Sequence, residues 1–172
     1  MAPKVVALDN THDTKAFDCG NAELNRWFQQ IAMQHQKNGV SKTFVHLDEA
    51  NANKIAGFFS MALRSLMQKE DLPEEMQKKL PRQIPGFTLG RLAVDKGFQG
   101  RGLGEYLLLE AMERAQRAAE NVGGFALFVD AKEGAASFHE KYGLVPLPSD
   151  PDTLVLPTAS MPKFPGKDPN NV

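Results

Sequence analysis

Between Gln99 and Gly104 the sequence reads Q-G-R-G-L-G, with glycines at alternate positions, and then runs straight into a helical pattern. That combination suits anion binding. The first N–H groups of a helix have no partner inside it, the helix dipole adds positive potential, and residues without Cβ let an anionic group reach the backbone. Arg101 adds a charged donor. A P-loop is excluded, because it needs G-x-x-x-x-G-K-[ST] and Gly104 is followed by Glu105-Tyr106. A dinucleotide turn needs G-x-G-x-x-G, and counting from Gly100 the third glycine position holds Glu105. Asp130 stands after the next strand, where a ribose-binding acid would, but the turn spacing is still wrong. What remains is Q/R-x-x-G-x-G/A, matched by Gln99, Gly102 and Gly104. Without context, the same glycines also fit a tight turn that holds nothing.

Other chemistry finds little purchase. His12, His35, His46 and His139 show no metal-ligand spacing, and the chain has one cysteine, Cys19. There is no G-x-S-x-G elbow, so Cys19 and the serines are poor nucleophiles. His35 and His46 read as polar residues on element faces, Cys19 as packing within its turn, and Trp27 and Phe28 as core. The net charge of −1 excludes a polyanion-binding protein by bulk electrostatics. Locally, Lys78, Lys79, Arg82, Arg91, Lys96 and Arg101 stand against the single acid Asp95. This excess suits an RNA backbone, or equally an ordinary solvated face.

The elements that must position these residues follow from periodicity. At 172 residues, 42% apolar and 24% charged, the chain suits one soluble domain with a core of its own. No run reaches the roughly 18–20 apolar residues of a membrane span. The N-terminus turns polar too early for a signal peptide, and a lone cysteine suits a reducing cytoplasm. Residues 4–8 read as a first strand. Asn21 reads as the N-cap of a helix reaching about Gln36, with Leu24, Trp27, Phe28, Ile31 and His35 on one face, closed by Asn38-Gly39. Residues 43–47 and 55–62 read as a hairpin, 74–80 as a short helix and 87–94 as a strand leading into the glycine turn. A long helix follows over 103–121, with Leu103, Leu107, Ala111, Ala115, Ala118 and Val122 as its buried stripe. Then come a strand at 125–129, a short helix at 134–142 closed by Gly143, and a last strand at 153–156. The domain is expected over residues 1–157, with a proline-rich, poorly ordered tail at 158–172. The fold class is α/β (α+β), with helices packed on a single sheet.

In this context the glycine turn resembles the pyrophosphate loop of the GNAT superfamily of N-acetyltransferases. The superfamily's strand–turn–helix–strand–helix order is matched over residues 87–144. A narrower resemblance runs from residue 17 to about 156. Phe17-Asp18-Cys19-Gly20-Asn21-Ala22-Glu23-Leu24-Asn25-Arg26-Trp27 is similar to F-x-C-G-x-x-x-L-[DN]-x-W-[LF]. Gly39-Val40-Ser41-Lys42-Thr43-Phe44-Val45 is similar to G-x-S-[RK]-T-F-V, and Leu89-Gly90-Arg91-Leu92-Ala93-Val94-Asp95 to L-G-R-L-A-V-D. These are motifs of the GNAT-type toxins of bacterial toxin–antitoxin modules. The resemblance implies a mixed, mostly antiparallel central sheet whose splayed strands hold acetyl-coenzyme A. Backbone at Leu92, Ala93 and Val94 would pair with the pantetheine arm, and Gln99, Gly100, Arg101, Gly102, Leu103, Gly104 and Glu105 would hold the pyrophosphate. It further implies acetylation of the α-amine of an aminoacyl-tRNA, a ribbon–helix–helix antitoxin and a homodimer. Lys78, Lys79, Arg82, Arg91 and Lys96 are then candidates for tRNA contact.

One position departs from the family pattern. In A-x-x-F-Y-x-x-x-G-F the tyrosine is held to protonate the departing thiolate, and here that position is His139. An α-amine has a reference pKa of about 8, so much of it is already neutral near pH 7 and no strong base is needed. A histidine can donate a proton as imidazolium or as a neutral N–H. Tyr142, three residues on and near the same helix face, is the second candidate donor. Two alternatives stay open: an acetyltransferase acting on a small amine or a protein N-terminus, and a coenzyme A-binding protein without turnover.

Overall fold

A computed structural model describes residues 4–51, 53–131 and 140–162. Seven strands form one sheet in the order β1-β2-β3-β4-β5-β7-β6. They are β1 (Lys4–Ala7), β2 (Lys42–Asp48), β3 (Lys54–Gln68), β4 (Gln83–Val94), β5 (Ala126–Asp130), β6 (Val145–Leu147) and β7 (Asp150–Pro157). β1 with β2, β2 with β3, β5 with β7 and β6 with β7 are antiparallel. Among the described residues the helices are α1 (Ala22–Gln30), α2 (Ala32–Lys37) and α3 (Leu103–Val122). Among the described residues no helix is long and apolar enough to cross a membrane. The mixed α/β class expected from the sequence is the one observed.

The chain divides into two compact units. The first takes residues up to Arg64 together with Phe87–Ala111. Its core is aromatic: Phe28 stacks on Phe58 with centroids 4.2 Å apart, and Phe17 meets both edge-on at 5.0 and 5.3 Å. Full burial of such a side chain stabilises the fold by about 1.5–3 kcal/mol. Asn21 caps α1 as expected, its Oδ1 accepting from Glu23 N–H at 3.0 Å and Leu24 N–H at 3.1 Å. The single helix expected as far as Gln36 is instead interrupted at Ile31, where φ reaches −116° within the right-handed region. Beyond the break, Ala32 is fully buried.

The second unit takes Ser65–Gly86 and residues from Met112 on, with Leu72, Ile84, Ala126, Phe128, Leu147 and Val155 as its core. Several elements differ from expectation here. β4 begins at Gln83 rather than 87; Pro85 has no N–H for a ladder, yet its C=O accepts from Phe125 N–H at 2.8 Å. β3 continues to Gln68, past the end of its apolar pattern, so backbone pairing rather than burial carries its last residues. The helix expected over 74–80 is only a short 3-10 turn, Glu74–Met76, and Lys79 already has a positive φ of 63°. β6 has no counterpart in the expectations. On α3, Leu108 and Met112 are fully buried, whereas Val122 is 78% exposed because the helix ends there at Gly123. The helix expected over 134–142 lies outside the described residues except for 140–142, as does the tail beyond residue 162.

Candidate functional site

β4 delivers the chain to the glycine turn. The N–H of Asp95 donates to Ala56 C=O at 2.9 Å, so Asp95 faces β3. Strand alternation then sends Ala93 to the same side, while Leu92 and Val94 turn their backbone groups to the opposite edge. α3 and β4 come close over Gly57, where a Cβ would lie 2.7 Å from Leu107 Cδ1 and 3.0 Å from Ala93 O.

Past Asp95, the 3-10 turn Lys96–Phe98 is capped by Asp95 Oδ1, which accepts from Gly97 N–H at 2.9 Å. Gly100 and Gly102 then adopt φ of 79° and 78°, a region that disfavours any residue with a Cβ. The space a Cβ would fill is open at both positions. The first bond of α3 runs from Tyr106 N–H to Gly102 C=O at 3.1 Å, which places the amides of Leu103 and Gly104 ahead of the intrahelical ladder. A 20-residue helix thus points its N-terminus at an open, Cβ-free turn, the arrangement that accepts a phosphate group. Arg101 is exposed at the turn, with its guanidinium 5.5 Å from the Phe98 ring centre.

The N-terminal turn is tied to this loop. Phe17 is buried in the core, and after it Asp18 N–H donates to Asp95 Oδ2 at 3.0 Å while Asp18 C=O accepts from Lys96 N–H at 2.8 Å. The Asp18 carboxylate accepts from Gly20 N–H and from Asn25 Nδ2, each at 2.9 Å, and lies 3.3 Å from Lys96 Nζ. The Gly20 amide, then Asn25, hold its carboxyl below the usual carboxylate range. Cys19 N–H donates to Asn25 Oδ1 at 2.9 Å, and Cys19 C=O accepts from Gln99 Nε2 at 3.2 Å. The same Gln99 Nε2 also donates to Val94 C=O at 2.9 Å. Cys19 thus contributes both peptide groups, while its thiol donates to Asn21 C=O at 3.8 Å and packs against the core.

The remaining candidates fall in both units. Arg91 lies over the Trp27 ring at 4.1 Å, a contact worth about 0.5–2 kcal/mol, and burial lowers its pKa. Lys96 is occupied with Asp18, and Lys54 Nζ lies 3.9 Å from Asp95 Oδ1. Lys78, Lys79 and Arg82 are exposed, but they belong to the second unit and Arg91 and Lys96 to the first. Tyr142, also in the second unit, is half-buried with Lys141 Nζ 5.7 Å from its ring centre. His139 lies outside the described residues.

A model of the acetyltransferase (GNAT) domain matches residues 40–145. The chain belongs to the GNAT family. This acetyltransferase is 31% identical over 150 residues to a tRNA-acetylating toxin of Mycobacterium tuberculosis, covering 87% of this chain and 88% of the relative. Its fold is similar to that of AtaT complexed with acetyl-methionyl-tRNAfMet, with a TM-score of 0.85, 30% identity, and 92% and 96% of the two chains covered. A mutant AtaT toxin bound to the C-terminus of the antitoxin AtaR and acetyl-CoA gives a TM-score of 0.76 at 26% identity, covering 92% and 94%.

The glycine turn of this acetyltransferase is legible in the sequence, whereas the roles of Asp95, Asp18 and Asn25 come from the fold. Asp95-Lys96-Gly97 does carry a local signal, since an aspartate two residues before a glycine amide is a capping pattern. The partner at Asp18, 77 residues away, carries no local signal.

Proposed function

We propose that this GNAT protein transfers the acetyl group of acetyl-coenzyme A to the α-amine of an aminoacyl-tRNA and so blocks translation, acting as a cytoplasmic, homodimeric toxin held in check by a ribbon–helix–helix antitoxin. The observation that carries the donor is the open turn at Gly100 and Gly102 in front of α3. A pyrophosphate fits there because the turn offers helix-start amides, a dipole end and the Arg101 charge without a Cβ in the way. Leu92 and Val94 present the β4 edge along which an amide-bearing pantetheine arm would pair like a peptide strand.

When bound, the donor supplies a thioester whose acyl carbon accepts the amine. The amine nitrogen forms the C–N bond, the C–S bond breaks, and the amine's surplus proton leaves to solvent. An α-amine is neutral often enough near pH 7 to need no strong base. Backbone N–H groups near Val94 would polarise the carbonyl, and His139 would donate a proton to the departing thiolate, with Tyr142 as the second candidate. Arg91, Lys96, Lys78, Lys79 and Arg82 would supply phosphate contacts.

The tRNA acceptor rests on the tRNA-acetylating relative and on AtaT in complex with acetyl-methionyl-tRNAfMet; the antitoxin rests on AtaT bound to AtaR. The deciding experiment incubates the purified protein with labelled acetyl-coenzyme A and a pool of charged tRNAs. Label on the aminoacyl group of particular tRNAs is the expected result. Label on free amines or protein N-termini alone would replace the acceptor, and no transfer despite donor binding would overturn the enzyme reading of this site.

A further inference from the structure

The side chain of Gln99, first residue of the glycine pattern, is turned toward protein. Its Nε2 donates to Val94 C=O at 2.9 Å and to Cys19 C=O at 3.2 Å, across 80 residues of sequence. Both protons of the amide are thereby used, one for each carbonyl. The Cys19 peptide is gripped on its other side as well, since its N–H donates to Asn25 Oδ1. Asn25 sits in the first turn of α1, and its N–H donates to Asn21 C=O at 3.0 Å. Behind the turn, Gln29 Nε2 donates to the C=O of the core residue Phe17 at 3.0 Å. The chain Phe17–Asn25 is thus a fixed body, joined to the segment Val94–Gln99 by Asp18 N–H on Asp95, by Lys96 N–H on Asp18 C=O and by Gln99 on Cys19 C=O.

From this geometry we infer that Gln99 is a positioning residue: its amide clamps the last residue of β4 and the N-terminal turn together, and so fixes the direction in which Gly100–Gly104 present their amides to the donor's pyrophosphate. The inference rests on the donor reading above and departs from it in one respect, because it assigns the Gln99 side chain to protein carbonyls and not to phosphate. The turn needs such a brace. Gly100 and Gly102 bring the greatest backbone freedom of any residue, and a preorganised anion site must remove that freedom before the ligand arrives. Two acceptors facing one side chain also define what can stand at position 99. A donor-bearing side chain fits, and a carboxylate, which only accepts, does not.

The test uses the full-length protein and acetyl-coenzyme A, with binding measured by calorimetry and backbone amide exchange measured over residues 96–106 in the free protein. Gln99→Ala is expected to weaken acetyl-coenzyme A binding about tenfold, from the loss of two hydrogen bonds, and to speed exchange across the turn. Gln99→Glu should behave like Gln99→Ala. Gln99→Arg, which keeps donors for both carbonyls, should bind within about threefold of the parent. Asn25→Ala should weaken binding too, and the double variant should fall short of the product of the two, because both residues act through the Cys19 peptide. Unchanged binding in Gln99→Ala, equal losses in Gln99→Glu and Gln99→Arg, or unaltered exchange would overturn the clamp. A side chain touching phosphate directly would instead lower affinity with no change in exchange of the free protein. Should the parent bind no acetyl-coenzyme A, the donor reading falls, and the exchange comparison still decides whether Gln99 braces the turn.

Discussion

Asp95 and Asp18 meet as acceptor and donor: Oδ2 of the one takes the backbone N–H of the other at 3.0 Å, while Oδ1 caps Gly97 N–H at 2.9 Å. Both carboxylate oxygens of a side chain only 4% exposed are therefore committed to backbone amides. Asp95→Ala leaves those two amides without their acceptor. The expected cost is about 1–3 kcal/mol, from the desolvation of donors left unpaired. For a chain of this size each kcal/mol lowers the melting temperature by about 2–4 °C. Asp95→Asn, which offers one carbonyl oxygen in place of two, should fall between parent and alanine variant in calorimetric unfolding.

Gly102 separates folding from binding. Its φ of 78° is strained for alanine, by about 1–2 kcal/mol, but an added methyl meets no atom within 4 Å. Gly102→Ala should therefore stay folded in urea titration, with a small loss of stability. Acetyl-coenzyme A binding, by contrast, should fall at least tenfold, since the methyl enters the space through which phosphate reaches the amides. Equal losses in stability and affinity would contradict the assignment of the turn as the pyrophosphate site.

His46, on β2, gives the fold a pH dependence. Nothing among the described residues pairs with its buried Nδ1, and its ring meets Tyr106 edge-on at 6.3 Å. Burial lowers its pKa below the ordinary value of 6.5. The unfolded chain therefore takes up a proton at a pH where folded His46 still refuses it. Its stabilising contribution is complete above about pH 6.5, is lost as pH falls below that value, and stops changing once the folded pKa is passed. Thermal unfolding of the parent should weaken over this window, and His46→Phe should flatten the slope there. An unchanged slope would place the effect elsewhere.

What was legible follows from the range of each interaction. The glycine turn and the Asn21 cap are local, since a few adjacent residues set the backbone, and both stand where the sequence placed them. The apolar pattern stops short of the end of β3, because its distal residues, Leu63 at 78% and Leu66 at 56% exposure, follow no burial alternation; their strand geometry comes from pairing. Val122 fell on the apolar face by periodicity, but periodicity does not know where a helix runs out of neighbours. The clamp was invisible for another reason. Gln99 and Cys19 each sit in a recognisable motif, yet nothing in either motif names the other as partner.

The departure at position 139 yields the sharpest test of mechanism. A group that protonates the leaving thiolate acts on the chemical step and not on donor binding. His139→Ala should accordingly lower kcat by about 10²–10⁴-fold and leave the affinity for acetyl-coenzyme A near that of the parent. Tyr142→Phe removes the rival hydroxyl and should leave kcat within a few-fold. The pH profile carries the second half of the comparison. An imidazolium gives up its proton more readily than a phenol, so His139→Tyr should move the alkaline limb of kcat upward. If Tyr142→Phe abolishes turnover while His139→Ala does not, the proton comes from the tyrosine, three residues further along the chain.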